Sequence, residues 1–265
     1  MAKPETITSA ANPLLKDVRR AISRGSLTEQ GWCVAETPHL LEEALRSQCE
    51  VKTVLASESA FGAASAYVRS LPVKLVSLPD ALFAGIAGTE TTQGVIALVQ
   101  PPAWKVEQLV PPAALVVVLD GLQDPGNAGT IVRAAEAFGA AGIFFLKGSV
   151  SPYNPKTLRA SAGSLFRVPF LHGVDAAAAC AALAQHRAEL FAGVPAGVSS
   201  RVLADVDLTG RCALIIGNEA HGVSNGLRAA AHDVSIPTVG VESLNAAMAA
   251  AILLYEARRQ RMLRA

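Results

Sequence analysis

Apolar and polar positions along this chain alternate between short β-branched runs and longer stretches with helical spacing. The plainest run is Leu115-Val116-Val117-Val118-Leu119, continuous and apolar, as in a strand buried on both faces. Further strands are predicted at 51–56, 73–75, 94–99, 142–146, 190–194, 213–216 and 234–236. Helices are predicted at 12–23, 37–46, 130–138, 155–162, 175–187 and 244–259, with Pro38 suited to a first helical turn. Beyond residue 112 strands and helices alternate, which implies an α/β fold: a parallel sheet with helices on both faces.

Between Pro101 and Pro112 four prolines fall in twelve residues, which excludes a helix interior or a central strand. Residues 101–112 therefore read as a linker between a small α/β domain, 1–100, and a larger one, 113–265. Half of the residues (51%) are hydrophobic, enough to build both cores and to exclude bulk disorder. No apolar run approaches the ~20 residues of a membrane span. The opening Met1-Ala2-Lys3-Pro4-Glu5 lacks the apolar core of a signal peptide. The expectation is a cytoplasmic protein that does not meet a membrane. Cys33, Cys49, Cys180 and Cys212 are scattered without a Cys-x-x-Cys pair, so free buried thiols are expected and no metal site. The net charge is only +1, with 9 basic against 10 acidic residues in 1–100 and 14 against 12 thereafter. Any phosphate-binding surface must then be local.

Three loops carry candidate chemistry, each leaving the end of a predicted strand, where ligands gather in open α/β sheets. In the first, Asp124-Pro125-Gly126-Asn127 is turn chemistry, and Asn127 reads as the N-cap of the helix 130–138. Arg133 then falls in the first turns of that helix, where the macrodipole disfavours a cation. That points to an anion outside the helix; the competing reading is a pair with Glu136. In the second, Ile216 runs into Gly217-Asn218-Glu219-Ala220-His221-Gly222, with Glu219 placed for polar recognition or proton handling. His221 reads as a surface residue and Ser224 as a helix cap. In the third, Ile236-Pro237-Thr238-Val239-Gly240-Val241-Glu242 leads to Ser243, read as the cap of an Ala-rich helix, then Leu244 and Asn245. Each loop alone also fits an ordinary connection. No Gly-x-Gly-x-x-Gly or Gly-x-Ser-x-Gly occurs, and Lys147-Gly148-Ser149 has the wrong order for a P-loop. A nucleotide-dependent oxidoreductase and a serine hydrolase lose support.

Taken together and in this order, the loops resemble the three signature motifs of the SpoU (TrmH) branch of the SPOUT methyltransferases. These enzymes methylate ribose 2′-hydroxyls in RNA with S-adenosylmethionine. Lys156-Thr157-Leu158-Arg159-Ala160-Ser161-Ala162-Gly163 resembles the family's segment between motifs one and two. Ser9-Ala10-Ala11-Asn12-Pro13 and Thr92-Gln93-Gly94-Val95 resemble the small RNA-binding domain often fused in front. The resemblance implies Asn127, Arg133, Glu219, Ser243 and Asn245 at the active site, and Gly217, Ile236 and Leu244 against the cofactor. It also implies a C-terminal trefoil knot, which nothing in the periodicity shows, and a homodimer with its active sites near the interface. Thr238, Ala246-Ala247-Met248 and Thr37 depart from the family pattern; they bear on packing around the cofactor and on RNA specificity, not on the reaction.

Arginine keeps its charge in proteins. Arg133 is therefore expected to bind the phosphate beside the target ribose and to offset alkoxide charge, with that phosphate or Glu219 assisting proton removal. For RNA contact, Lys16, Arg19 and Arg20 share one helix face, and Arg159 is expected beside the active site. Arg258, Arg259, Arg261 and Arg264 read as the solvated end of a helix. The expected substrate is 23S ribosomal RNA. Transfer RNA is the alternative, a resistance-conferring rRNA methyltransferase a further one, and a catalytically silent RNA-binding factor on the same scaffold another. The five polar motif residues together speak against the last.

Overall fold

The computed structural model describes residues 5–69, 71–89, 91–197 and 200–264. Met1 to Pro4, read above for a signal peptide, lie outside the described residues. From the N-terminus run β1 (Glu5–Thr6), α1 (Pro13–Arg24), β2 (Cys33–Glu36), α2 (Pro38–Arg46), β3 (Val51–Ser57), α3 (Phe61–Val68), β4 (Lys74–Leu78), α4 (Asp80–Ala84) and β5 (Val95–Val99). Then follow α5 (Val106–Leu109), β6 (Leu115–Asp120), α6 (Pro125–Ala137), β7 (Gly142–Leu146), α7 (Pro155–Ser161), β8 (Phe170–Val174) and α8 (Ala176–Gln185). The chain closes with β9 (Glu189–Gly193), β10 (Arg201–Val202), β11 (Cys212–Gly217), α9 (Asn225–Arg228), β12 (His232–Ser235) and α10 (Ala246–Met262). Two compact units result. One holds the residues up to Ala103 together with Tyr153–Phe166, and the other holds Trp104–Pro152 and Arg167 onward.

The N-terminal unit is built on a five-stranded sheet in the order β1-β4-β3-β5-β2. Strands β1, β4 and β3 pair in parallel, whereas β5 runs antiparallel to both β3 and β2. Helix α1 buries Leu15, Val18 and Ala21 at helical spacing against Leu55, Val76, Phe83, Ile96 and Leu98. Its N-cap is Asn12, whose side chain accepts the Leu14 N–H at 2.9 Å. Thr37 stands at φ 133°, a backbone region that favours glycine, and its hydroxyl accepts the Leu40 N–H at 3.2 Å to cap α2. Glycine, which the resemblance implies at this position, would adopt that geometry without strain. Helix α7 belongs to this unit. Its Arg159 reaches Glu36 at the end of β2 at 2.5 Å, and Glu36 is only 2% exposed.

The second unit carries a seven-stranded sheet in the order β10-β12-β9-β11-β6-β7-β8, in which every pair is parallel. Val116 and Val118 of β6 pack with Leu109 of α5, Leu183 of α8 and Leu227 of α9. The alternate residues face the other way. On that side Leu253 of α10 and Ile216 both lie close to Gly193, and α10 also packs on α6. The parallel sheet with helices on both faces is thus the observed architecture, with the central strands buried throughout.

Two helix starts differ from the sequence reading. Helix α6 begins at Pro125 rather than Thr130. Asp124 is its N-cap, taking the Asn127 N–H at 2.7 Å, so Asn127 lies inside the first turn. Arg133 consequently sits in the third turn, beyond the reach of the N-terminal dipole, and the dipole argument for its partner falls away. Helix α10 is capped by Asn245, not Ser243; the Asn245 Oδ1 accepts from Ala247 at 2.9 Å and Met248 at 3.3 Å. All four cysteines are free, but only Cys33 and Cys212 are buried; Cys49 and Cys180 are half-buried. Burial pushes the Cys33 thiol up to about 12. Among the described residues no helix is long and apolar enough to cross a membrane, and no group of three or more His, Cys, Asp or Glu could hold a metal.

Candidate active site

A parallel sheet sends all its strand-end loops to one edge. Here β6 and β11 are neighbours, paired from Leu115–Cys212 to Asp120–Gly217, so the loops carrying Asn127 and Glu219 start side by side. The loop after β11 turns back at once, with Asn218 and Gly222 exchanging backbone bonds of 3.0 and 2.9 Å. A side-chain carbon on Gly217 would lie 2.2 Å from the Gly222 backbone. This glycine serves the loop's own close return.

The Glu219 carboxylate is delivered into the start of α6. Its Oε1 accepts from the Asp124 N–H and the Asn127 side-chain amide, both at 3.2 Å, and its Oε2 from the Gln123 N–H at 3.2 Å. Asn127 passes the chain of bonds on: its Oδ1 accepts from the Asn245 amide at 3.1 Å. One residue from each motif therefore joins a single hydrogen-bonded line, Glu219–Asn127–Asn245. Partial burial pushes the Glu219 carboxyl up, but bonds from its own N–H, Gln123, Asn127 and Asp124 outweigh this and hold it below the ordinary carboxyl range. It is an anion that ties the loop after β11 to the start of α6, and among the other described residues only Gln123 donates to its Oε2.

Beside this line opens a cleft of about 660 Å³. Gly217, Ile236 and Leu244, the three residues expected against a cofactor, all line it, as do Glu219, Ser243 and Asn245. Its wall combines apolar side chains such as Val194, Ile216 and Leu253 with polar loop backbone, the composition of a small-molecule site. Ser243 is exposed and has no hydrogen-bond partner among the described residues. Arg133 is not part of the bonded line. It is exposed on α6 without a partner among the described residues, and Glu136, its expected alternative partner, pairs with Arg167 at 2.5 Å.

The residues expected to touch RNA divide. Lys16 and Arg19 are exposed on α1 and have no partner among the described residues. Arg20 bonds Asp17 at 2.8 Å and Glu29 at 2.5 Å. Arg159, on α7, is committed to Glu36 in the N-terminal unit. Sequence reasoning assigned no role to Asn218, Asp120 or Gln123. Yet Asn218 Nδ2 donates to the Gly121 carbonyl at 2.8 Å, and Asp120 Oδ2 accepts the Ser224 N–H at 2.7 Å. Their positions at the last residue of β6 and the first after β11 were the available signal.

Comparison with known proteins accords with this geometry. The SpoU rRNA Methylase family matches residues 114–255, and an MRM3-like substrate binding domain matches residues 12–97. A protein of Synechocystis sp. named as an uncharacterized tRNA/rRNA methyltransferase is 35% identical over 96% of this chain and 94% of its own length. The 23S rRNA (guanosine(2553)-2′-O)-methyltransferase RlmP of Bacillus subtilis is 31% identical over 95% of this chain and 98% of its own. Among solved structures, the SpoU methyltransferase AviRb from Streptomyces viridochromogenes in complex with the cofactor AdoMet is 29% identical. It superposes with a TM-score of 0.83 over 95% of this chain and 100% of that one. With three motif residues on one hydrogen-bonded line beside a cofactor-sized cleft, and with relatives matched along nearly their whole length, the chain belongs to the SpoU rRNA methylase family.

Proposed function

We infer that this protein transfers a methyl group from S-adenosylmethionine to a ribose 2′-hydroxyl of large-subunit ribosomal RNA. The observation that carries the reading is the bonded line Glu219–Asn127–Asn245 at the mouth of the cleft. The cleft suits the cofactor: its volume lies within the usual range for small-molecule sites, and loop backbone and apolar side chains share its wall. Gly217, Ile236 and Leu244 hold the cofactor there, which supplies an activated sulfonium methyl when bound.

The protein's own task is then alignment. Asn127 and Asn245 each keep one amide hydrogen beyond those used in the line, and Ser243 keeps its hydroxyl; these groups receive and orient the ribose hydroxyl. Holding reactants in line can supply several of the roughly 7–11 kcal/mol that orientation is worth. Arg133 holds the RNA phosphate next to the target ribose and offsets the developing alkoxide. Removal of the hydroxyl proton is assisted by that phosphate or by Glu219, whose Oε2 accepts only from Gln123 among the other described residues.

Lys16 and Arg19 contact RNA phosphates from the N-terminal unit, with Arg20 sharing its charge between Asp17 and Glu29. The working form is a homodimer. Helix α10 supports this, exposing Met248 (58%), Ile252 (38%) and Tyr255 (55%) on one face while Ala247, Ala250, Leu254 and Ala257 are buried on the other. A C-terminal trefoil knot is part of this reading, supported by the path of the chain: after β11 it runs out to β12, beyond β9, and returns as α10 onto α6 and β11. The reading includes a cytoplasmic location, supported by the bacterial relatives named for 23S rRNA.

The test is ribose-methylation mapping across total RNA from a deletion strain against wild type, which should reveal one lost site in 23S rRNA. A lost site in tRNA would move the substrate, and no lost site would overturn the reading. With the purified enzyme, Arg133→Lys should lower turnover on the order of a hundredfold, since lysine cannot replace a planar fork. Near-normal turnover would remove the role given to Arg133.

A further inference from the structure

Lys147-Gly148-Ser149, which is no P-loop, has another use. Ser149 follows β7, Gly121 follows β6 and Asn218 follows β11, and these strands are neighbours with β6 in the middle. The Ser149 hydroxyl donates to the Leu119 carbonyl at 2.9 Å and accepts the Gly121 N–H at 3.0 Å. From the opposite side the Asn218 amide donates to the Gly121 carbonyl at 2.8 Å. Gly121 has φ 72°, in the region that favours glycine, so its N–H and carbonyl serve two different loops.

The bonding continues toward the site. The Val150 N–H donates to the Leu122 carbonyl at 2.8 Å, and the Leu122 side chain is fully buried. The Gln123 side-chain amide donates to the Gly121 carbonyl at 3.2 Å and also to the Gly148 carbonyl. Next come the Gln123 and Asp124 N–H groups that bind Glu219, and then Asn127 itself. Residues 121–124 have no helix or strand of their own, so these bonds from the flanking loops fix their path.

We propose that Ser149 and Asn218 are positioning residues for methyl transfer: they clamp Gly121 from both sides and so set Asn127 against Glu219. This rests on the methyltransferase reading. Ser149 does not line the cleft, so it acts on the reaction through Gly121 and not by touching the cofactor. A displacement of about 1 Å at a reacting group can cost 10²-fold in rate, so a single hydroxyl can matter.

The experiment uses the full-length enzyme with 23S rRNA and S-adenosylmethionine. Ser149→Ala should lower kcat about five- to fifty-fold, while the cofactor Kd from calorimetry stays within about twofold. Ser149→Thr, which restores a hydroxyl, should recover most of kcat. Without RNA or turnover, the backbone amides of residues 121–124, 126 and 127 should exchange faster in Ser149→Ala. They should do so also in Asn218→Asp, which keeps the acceptor for Ala220 and His221 but loses the donor to Gly121. Unchanged kcat in Ser149→Ala overturns the proposal, as do unchanged exchange, a cofactor affinity that falls as far as kcat, and failure of threonine to rescue. If the wild-type enzyme transfers no methyl to ribosomal RNA, the functional reading fails instead, and the exchange measurement still decides whether Gly121 is clamped.

Discussion

Polar residues in the two units meet opposite fates. In the catalytic unit, Asn127, Glu219 and Asn245 stand far apart in sequence and end on one hydrogen-bonded line. In the N-terminal unit, Arg20 and Arg159, which sequence alone offers to RNA, are taken up by Asp17, Glu29 and Glu36. The difference lies in what fixes each side chain. Parallel strands deliver their following loops to one edge whatever the side chains are, so a polar residue just past a strand end has its neighbours fixed by topology. A basic residue on a helix has several carboxylates within reach, and only packing decides which one it meets.

The sharpest way to break this comparison is Asn127→Ala. Removing the middle of the line should cost on the order of 10²–10³ in kcat, as for other preorganised donors. Cofactor affinity should move far less, because Asn127 does not line the cleft. Methyl transfer from labelled cofactor to 23S rRNA measures the first and calorimetry the second. A loss under tenfold would mean that the line is scaffolding only.

The counterpart in the N-terminal unit is Glu36→Ala. Glu36 is buried, and it holds both Arg159 and the Gly88 N–H, the latter at 2.7 Å. Breaking a buried pair from one side typically costs 3–5 kcal/mol; with Arg159 partly open to solvent, about 2–3 kcal/mol is expected. Denaturant unfolding should show an earlier transition for this unit, with cofactor binding kept. An unshifted midpoint would return Arg159 to the pool of residues free to meet phosphate.

How much of this was legible in the sequence follows the same division. The β6 run and the 142–146 strand were plain because a strand buried on both faces needs an unbroken apolar stretch. The start of α6 was misread because Asp124-Pro125-Gly126-Asn127 is equally a turn and an N-cap followed by proline at the first helical position. Only tertiary contact with Glu219 distinguishes them. Strand β2 is hidden in the sequence since Cys33–Glu36 is short and ends in a carboxylate, which is buried against the Gly88 N–H and Arg159, both distant along the chain. At the site, the motif residues were found by resemblance. Asn218 has only its place directly after a strand to mark it, and Ser149, three residues beyond β7, has no such mark, because a side chain that bonds backbone across loops leaves no spacing pattern.

Acid sharpens the comparison from another direction. Partial burial pushes the Glu219 carboxyl up, but bonds from its own N–H, Gln123, Asn127 and Asp124 outweigh it, so its folded-state pKa lies below the unfolded value. Its contribution is therefore fully present above the unfolded pKa and is lost as pH falls through the folded one. The backbone amides of 121–124, 126 and 127 should keep their exchange protection, after correction for intrinsic rates, above the unfolded carboxyl pKa. They should lose it progressively as pH falls from there through the lower folded value. Glu219→Gln should abolish this dependence, and persistence of the same acid limb in that variant would assign it to another group.

The smallest effect expected is on RNA affinity, and it compares residues within one helix. Lys16 and Arg19 are exposed and without partners among the described residues, so each that meets a phosphate displaces a counterion. Replacing either with alanine should weaken binding uniformly across RNA sequences and reduce the slope of log affinity against log salt by roughly 0.7–1. Arg20 has to leave Asp17 and Glu29 to do the same, and if it stays, those carboxylates cancel its charge locally. Arg20→Ala should thus leave the salt slope unchanged. A slope change equal to that of Arg19→Ala would mean that RNA outcompetes two carboxylates for the guanidinium. In that case the ion pairs of the N-terminal unit would mark its RNA-binding residues rather than withdraw them.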